Sequence, residues 1–427
     1  MILFGSSGRN IMKFENPKTA PGTDPVDAWY RYYAGYSAAF VAKALKEVAP
    51  RARIVLDPWN GTGTTTVVAA SNKIGAIGFD INPAMVVVAR ARLLGQGVWA
   101  SIAPLSADIV VHANARNIED DPLRFWFVDR SAANIRALQA SVHRLLVDAG
   151  TTTYPIFDCV SSMSTLAAFF YTALFRTVRL LLAPAAGSNP TWWKRLDENE
   201  RLNPGRKIIF DTFIHSTMEL AEGLHRANFS LAVQTRVDVG DCRQLLSIAD
   251  QSIDTVITSP PYCTRIDYGI STLPELAVLG AHEEVIKKLR NTMVGTPTIT
   301  GEDGAEESWG RKAAAFLSDV AQHDSKASGG YYSKYFRQYY SGMHASLREL
   351  RRVTRPGGAV VLVVQDNYYK ELHNDTPGIL REMAKRNGFA TTARFNFPVA
   401  RTMASLNPRA RTSRDQASAV ESVLVLR

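Results

Sequence analysis

The chain has 427 residues, 46% of them hydrophobic, which is ordinary for a globular protein and leaves room for one large domain with insertions or roughly two to three smaller ones. Lys and Arg outnumber Asp and Glu by 49 to 40, for a formal net charge of +9, and a pI near 9.4 points away from basic partners and toward a polyanion such as nucleic acid. No apolar run reaches the ~18 residues of a membrane span, since Leu166–Pro184 is interrupted by Arg176 and Arg179. The N-terminus has no signal-peptide pattern. The three cysteines, Cys159, Cys242 and Cys263, have no metal-ligand spacing. A cytoplasmic protein with no metal and no membrane partner is expected.

Residues 1–28 are polar and carry Pro17, Pro21, Gly22 and Pro25. They read as a poorly ordered lead-in. Trp29–Ala49 reads as an aromatic turn feeding an amphipathic helix, with Tyr30, Tyr33, Tyr36 and Phe40 at helix-like spacing. Such a face packs in a core or lines a cofactor pocket; the spacing does not choose. Arg53–Leu56 reads as a strand, Asp57–Thr65 (DPWNGTGTT) as a Gly-rich turn, and a helix follows from about Thr66. A strand, a Gly-rich turn and a helix bring backbone close to a ligand, with helix N–H groups facing it. The next strand, Ala76–Phe79, ends at Asp80, close to the ~20-residue interval at which an acidic residue meets ribose hydroxyls. The glycines lack G-x-G-x-x-G spacing and no phosphate-gripping Lys follows. A leading Asp suits a cationic ligand group better than a phosphate. S-adenosylmethionine, with its amino group, sulfonium, ribose and adenine, fits this set, and an ordinary βαβ crossover is the bland alternative.

Asn82–Leu94 reads as a helix with Asn82 as cap and Pro83 in the first turn. From 96 to 230 the alternation stops. Helices are expected near 131–148, 164–182 and 208–227, forming an insertion that could recognise a target. The loop Gly187–Arg195 breaks it with Trp192, Lys194 and Arg195. These can grip a nucleic-acid backbone and stack on a base, or the two tryptophans can anchor the loop in a core. Alternation resumes at Leu231–Val237, followed by Gly240-Asp241-Cys242 and a short expected helix, Arg243–Ile248. Asp241 is either an adenine-side group at the sheet edge or a solvated turn residue.

Ser252–Tyr262 (SIDTVITSPPY) is a buried strand running into a rigid corner. Two prolines fix its backbone and remove two N–H donors. The corner offers the Ser259 hydroxyl, the carbonyls of Pro260 and Pro261, and the ring of Tyr262, a set suited to an exocyclic amino group on a flat base. The alternative is a Pro-Pro turn ending a strand. Cys263–Gly280, with Arg265, Asp267 and Tyr268, is expected to fold over the site. Polar residues 281–330 read as a mobile lid or recognition insert. A long helix over Tyr331–Val353, a turn at Arg355-Pro356-Gly357-Gly358, a strand over Ala359–Val364 closing at Gln365-Asp366, a helix near Thr376–Asn387, and strands over Thr391–Asn396 and Glu421–Leu426 complete the pattern. From Arg381 to Arg427 there are nine Lys and Arg against three Asp and Glu. Arg401, Arg409, Arg411 and Arg414 there read as a phosphate-contacting loop.

In this order, the motifs resemble those of the exocyclic-amino DNA methyltransferases, the N4-cytosine and N6-adenine enzymes that use S-adenosylmethionine. DPWNGTGTT resembles their cofactor loop, GFDINP their ribose-binding strand end, GDCRQLL and TSPPY their third and catalytic motifs, and RRVTRPGGAVVLVVQD the strand beyond. The resemblance implies an α/β, Rossmann-like class I methyltransferase fold, split between 29–95 and 231–427 by a mostly helical insertion at 96–230. It implies cofactor contacts from Asp57, Pro58, Gly61, Gly63, Thr64 and Asp80, with Asp241 near adenine, and target-base contacts from Ser259, Pro260, Pro261 and Tyr262. Candidate DNA contacts are Trp192, Lys194, Arg195, Arg265, Arg401, Arg409 and Arg411. Double-stranded DNA is the implied partner, with a cognate restriction or defence protein as a further one. Ser at the head of the catalytic motif favours cytosine N4. Adenine N6, an RNA amino group, and a catalytically silent nucleic-acid-binding subunit are the alternatives.

Overall fold

A computed structural model of the chain describes residues 14–18, 29–30, 35–148, 154–187, 189, 191–226, 233–301, 306–399 and 419–427. The apolar runs form the strands β1 (Ile54–Asp57), β2 (Gly75–Asp80), β3 (Thr235–Val239), β4 (Ile253–Thr258), β5 (Thr354–Gln365), a hairpin of β6 (Asn367–Tyr369) and β7 (Leu372–Asn374), β8 (Thr391–Pro398) and β9 (Val420–Leu426). The main sheet has the order β3-β2-β1-β4-β5-β9-β8. β1 to β5 run parallel, and β9 lies antiparallel to both β5 and β8. This is the Rossmann-like methyltransferase fold. All six residues of β4 are buried, as expected for a central parallel strand covered on both faces.

The helices are α1 (Ala38–Val48), α2 (Thr64–Ser71), α3 (Pro83–Ala91), α4 (Trp99–Val111), α5 (Asp129–Leu146), α6 (Thr165–Leu182), α7 (Arg206–Arg226), α8 (Tyr268–Ser271), α9 (Leu273–Val278), α10 (Glu283–Thr292), α11 (Arg311–Gln322), α12 (Ser333–Val353) and α13 (Thr376–Arg386). Alternate residues of β5 face opposite sides. Val361 and Val363 pack with Phe40 and Val41 of α1 and Val68 of α2. Leu362 and Val364 pack with α11, α12 and α13. Asn82 caps α3, its side chain accepting from the Ala84 N–H, with Pro83 in the first turn. Eight of the nine α3 residues are buried, because α6 of the insertion covers the side that the sheet does not. By length and composition, Thr165–Ala185 could cross a membrane, but it is mostly buried as the central helix of this layer. Arg176 and Arg179, expected to interrupt that apolar run, stay on α6 and pair with Glu219 and Glu275.

Several expectations shift. Arg243–Ile248 forms turns rather than a helix. Side chains from α12 satisfy its backbone instead: Glu349 accepts from the Leu245 N–H at 2.8 Å, and Arg352 donates to the carbonyls of Leu245 and Ile248 at 2.9 Å. β3 lies at 235–239 rather than 231–237, and residues 227–232 are outside the described set. β5 begins at Thr354, before the expected turn. The Pro356-Gly357-Gly358 stretch is absorbed as a register shift against β4, with Gly357 at φ +78°. Residues 281–330, expected as a lid or recognition insert, carry α10 and α11, and Trp309, Phe316 and Leu317 are core residues. Nearly all of the 1–28 lead-in, Tyr33, and Arg401, Arg409, Arg411 and Arg414 lie outside the described residues.

Candidate active site

The sheet order reverses between β1 and β4, and open α/β sheets hold ligands beyond the carboxyl ends of their strands at such a point. There the DPWNGTGTT loop leaves β1. Asp57 is 2% exposed. Its carboxylate accepts from the Thr258 hydroxyl at 2.5 Å, the Tyr36 hydroxyl at 2.9 Å and the Trp59 N–H at 3.2 Å. Burial pushes its pKa up, and the hydrogen bonds from Thr258, Thr65, Tyr36 and Trp59 oppose the rise. Tyr36, one of the periodic aromatics before α1, thus serves the loop rather than the helix interior. Gly61 and Gly63 have φ of +49° and +87°. The Gly61 N–H donates to Asp80 at 2.8 Å. A Cβ on Gly63 would stand 2.9 Å from that of Ala89 on α3, so the glycine allows two helices to converge. Thr64 opens α2, and the buried Arg92 braces the loop by donating to the Thr62 carbonyl at 2.8 Å.

Asp80 ends β2 and also accepts from the Asn82 N–H at 2.8 Å. Burial raises its pKa to about 6, opposed by those two N–H donors. Asp241 follows β3. Arg243 grips its carboxylate at 2.7 Å and donates to the Thr292 carbonyl at 2.9 Å, tying the end of α10 to the site. Beyond β4, the Ser259 hydroxyl donates to the Val363 carbonyl at 3.0 Å. Having given its hydrogen away, it keeps its lone pairs as acceptors. The Pro261 carbonyl accepts from the Tyr339 hydroxyl of α12 at 3.0 Å. The Tyr262 hydroxyl donates to Glu421 of β9. Burial and then the Glu421 charge push the Tyr262 phenol well up, so it stays neutral.

These strand ends share one pocket of about 730 Å³, open mouth included. Its wall contains Pro58, Trp59, Asp80 and Asp241 from the expected cofactor motifs, and Ser259, Pro260, Pro261 and Tyr262 from the proline corner. Asp57, Gly61, Gly63 and Thr64 do not line it; they shape the loop behind Pro58 and Trp59. Sequence reading missed Ile81, Met85, Thr292, Met293 and Val294. Ile81 could have been found as the apolar neighbour of Asp80. Nothing in the local sequence marks Thr292–Val294, which reach the wall only through the fold of α10. Of the two segments proposed for target recognition, 281–330 contributes to this wall and 96–230 does not. Tyr268 lines it too, as expected of a segment folding over the site.

Of the candidate DNA contacts, the described ones, Trp192, Lys194, Arg195 and Arg265, do not line the pocket. The Arg265 guanidinium sits 5.0 Å over the Tyr332 ring and donates to its hydroxyl at 3.0 Å. Trp192 is 52% exposed. Arg195 stacks 3.9 Å over Phe125 and pairs with Glu283 at 3.3 Å, while the Lys194 carbonyl accepts from the Trp126 indole at 2.8 Å.

No family model matches the chain. Among curated proteins it is similar to Type II methyltransferase M.BsoBI of Geobacillus stearothermophilus, 23% identical over 289 residues, covering 62% of this chain and 55% of that one. It is similar to Type II methyltransferase M.AvaI of Nostoc sp. (strain PCC 7120 / SAG 25.82 / UTEX 2576), 22% identical over 422 residues, 91% of this chain and 83% of that one. Type II methyltransferase M.MvaI of Kocuria varians is 22% identical over 401 residues, 85% of this chain and 82% of that one. The chain thus spans about half the length of the first relative and most of the other two. Among solved structures, the rRNA methyltransferase aviRa from Streptomyces viridochromogenes superposes over 95% of this chain and 90% of that one at 9% identity and a TM-score of 0.31. That superposition is too loose to bear on the fold, which rests on the strand order.

Proposed function

We propose that the chain is a DNA methyltransferase that transfers a methyl group from S-adenosylmethionine to the exocyclic amino group of a base flipped out of double-stranded DNA, and that the base is cytosine, methylated at N4. The observation that carries this reading is the single pocket whose wall joins Asp80 and Asp241 to the Ser259–Tyr262 corner. The relatives, named as Type II methyltransferases, support its methyltransferase part, and the cytosine assignment rests on Ser259 at the head of the catalytic motif.

The pocket fits the cofactor by its chemistry. Asp80 offers a carboxylate for ribose hydroxyls. Ile81, Met85 and Trp59 offer apolar and aromatic faces for adenine, with Asp241 at the edge. Asp57 holds the loop in shape. When bound, S-adenosylmethionine supplies an electrophilic methyl group on a sulfonium. The protein's part is positioning. Ser259, its hydrogen committed to Val363, accepts from the amino group through its lone pairs. The Pro261 carbonyl is occupied by Tyr339, so the Pro260 carbonyl is the second acceptor. Two such acceptors draw the amino hydrogens out of the ring plane and free the nitrogen lone pair. Tyr262 stacks on the base, offsetting the few kcal/mol of flipping.

The test is transfer of labelled methyl from S-adenosylmethionine to unmethylated bacterial DNA, digested and resolved as nucleosides by mass spectrometry. N4-methylcytosine that disappears with Ser259→Ala is expected. N6-methyladenine would overturn the base assignment, and no methylated nucleoside would overturn the reading.

A further inference from the structure

The proposed base-stacking residue, Tyr262, is held from outside the catalytic motif. Its hydroxyl donates to Glu421, a residue of β9 that is 0% exposed. Glu421 sits between Gln365 of β5 and Phe397 of β8 in the sheet. Its second oxygen, Oε2, is buried with no hydrogen-bond partner among the described residues. A carboxylate placed there carries a desolvation cost that only specific partners offset. Besides the Tyr262 hydroxyl, Lys18 serves it: the ammonium lies 3.6 Å from Glu421 Oε1 and 5.0 Å over the Tyr262 ring. Lys18 belongs to the short segment 14–18, which is itself pinned. The Pro17 carbonyl accepts from the Ser37 N–H at 2.9 Å, and Phe14 packs against Phe40 and Phe395. Two remote parts of the chain, segment 14–18 and β9, therefore converge on one ring. A hydrophobic strand has no packing reason to carry a glutamate there, and of the two groups that compensate it one is the Tyr262 hydroxyl and the other lies over the Tyr262 ring.

We propose that Glu421 and Lys18 are positioning residues that clamp the Tyr262 ring as a platform for the target base, making the segment before α1 part of the base-binding side of the site. The inference rests on the methyltransferase reading above. The carboxylate fixes the ring by its hydroxyl and the ammonium fixes it by its face, so the platform is set before the base arrives. Rotational freedom of the ring would otherwise have to be removed at the moment of binding. Neither residue touches the cofactor walls of the pocket, so losing the clamp slows transfer without weakening the cofactor.

The experiment uses the full chain and measures initial methyl-transfer rates on unmethylated bacterial DNA, together with S-adenosylmethionine affinity by calorimetry. Glu421→Gln, Lys18→Met and Tyr262→Phe are compared with the double variant Glu421→Gln/Tyr262→Phe. Glu421→Gln and Lys18→Met should each lower kcat by about tenfold, the order expected for a misplaced reacting group, with cofactor affinity unchanged. Lys18→Arg should restore most of the rate. The double variant should be no slower than Tyr262→Phe, because Glu421 acts through that hydroxyl. Unchanged rates, strictly additive losses, or a parallel fall in cofactor affinity would overturn the clamp while leaving the functional reading intact. A wild-type chain that transfers no methyl group would sink that reading, and the clamp with it. If Glu421→Gln does not fold, Lys18→Met and its Lys18→Arg rescue decide the matter, since the Lys18 side chain is 29% exposed.

Discussion

Asp80, on the proposed cofactor side of the pocket, makes stability and ligand binding depend on pH. Its carboxyl titrates near 6 rather than at the ordinary 3.8 because it is buried. Between those values the folded protein holds a proton that the unfolded chain has released. Stability therefore falls as pH rises through this window, and the penalty is absent below the unfolded value. Ligand binding runs the other way. Two acceptor oxygens already serve Gly61 and Asn82, and the ionised form keeps more lone pairs for ribose hydroxyls than the protonated form does. S-adenosylmethionine affinity should rise with pH through the Asp80 pKa and level off above it. Calorimetric titrations from about pH 5 to about pH 8 would show the step; a flat profile would remove Asp80 from the cofactor contacts. Asp80→Asn should bind more weakly at every pH, since one amide oxygen cannot accept from two N–H groups and a ribose. Gly63 makes a complementary case. Gly63→Ala adds a left-handed strain and a Cβ 2.9 Å from Ala89, which should cost about 2 kcal/mol or more, read as a lower midpoint in urea. Both residues were legible because motif spacing marks them. Glu421 was not, because a glutamate in ESVLVL carries no local sign of the tyrosine it meets 159 positions away.

The proline corner is held by an element that lies outside the sequence motifs. α12 carries Tyr335, Tyr339 and Tyr340, all buried, and its Tyr339 hydroxyl occupies the Pro261 carbonyl. Tyr339→Phe leaves that carbonyl without its donor. It should cost about 1 kcal/mol of stability and lower the transfer rate while cofactor affinity holds, which a rate assay with a parallel binding titration would separate. α10 is bracketed in the same way. Arg290 pairs with the buried Asp267 at 2.6 Å, and Arg243 spans Asp241 and the Thr292 carbonyl. Removing that span with Arg243→Ala should weaken cofactor binding about tenfold, because both Asp241 and the Thr292–Val294 wall lose their anchor. An unchanged dissociation constant would show that α10 holds its place without it. Strands were legible at this scale because β1, β2, β4 and β9 are short apolar runs with clear ends. The 243–248 turns were misread because their backbone partners are side chains of α12, about a hundred residues on. α4 and the β6–β7 hairpin were missed: α4 contains Pro104, and the hairpin strands are three residues each.

At the scale of the whole molecule, the insertion shares its core with the sheet. The sequence of α3, PAMVVVARA, is apolar apart from Arg90, and a helix of that kind needs cover nearly all round. The sheet supplies half of the cover and α6 the rest, and α6 is in turn enclosed by α5 and α7. Polar ties reinforce the join. Arg136 of α5, fully buried, pairs with Asp121 at 2.9 Å and donates to the Ala277 and Val278 carbonyls at the end of α9. Arg179 of α6 pairs with Glu275 of α9. Reading residues 96–230 as an insertion was possible from the break in strand–helix alternation. That the insertion is built into the body of the sheet was not, because the largely apolar character of α3 shows that a cover exists without showing which segment provides it. A shared core predicts one cooperative unfolding transition, with the calorimetric and van't Hoff enthalpies equal. Arg136→Ala should destabilise that whole transition by about 3–5 kcal/mol, because it strands Asp121 as an unpaired buried charge. If the insertion were an independent module, heating would give two transitions and Arg136→Ala would move only one of them. A single transition that shifts as a whole would mean that any target contact made by the insertion, such as one through Trp192, is transmitted to the pocket through a continuous core rather than across a hinge.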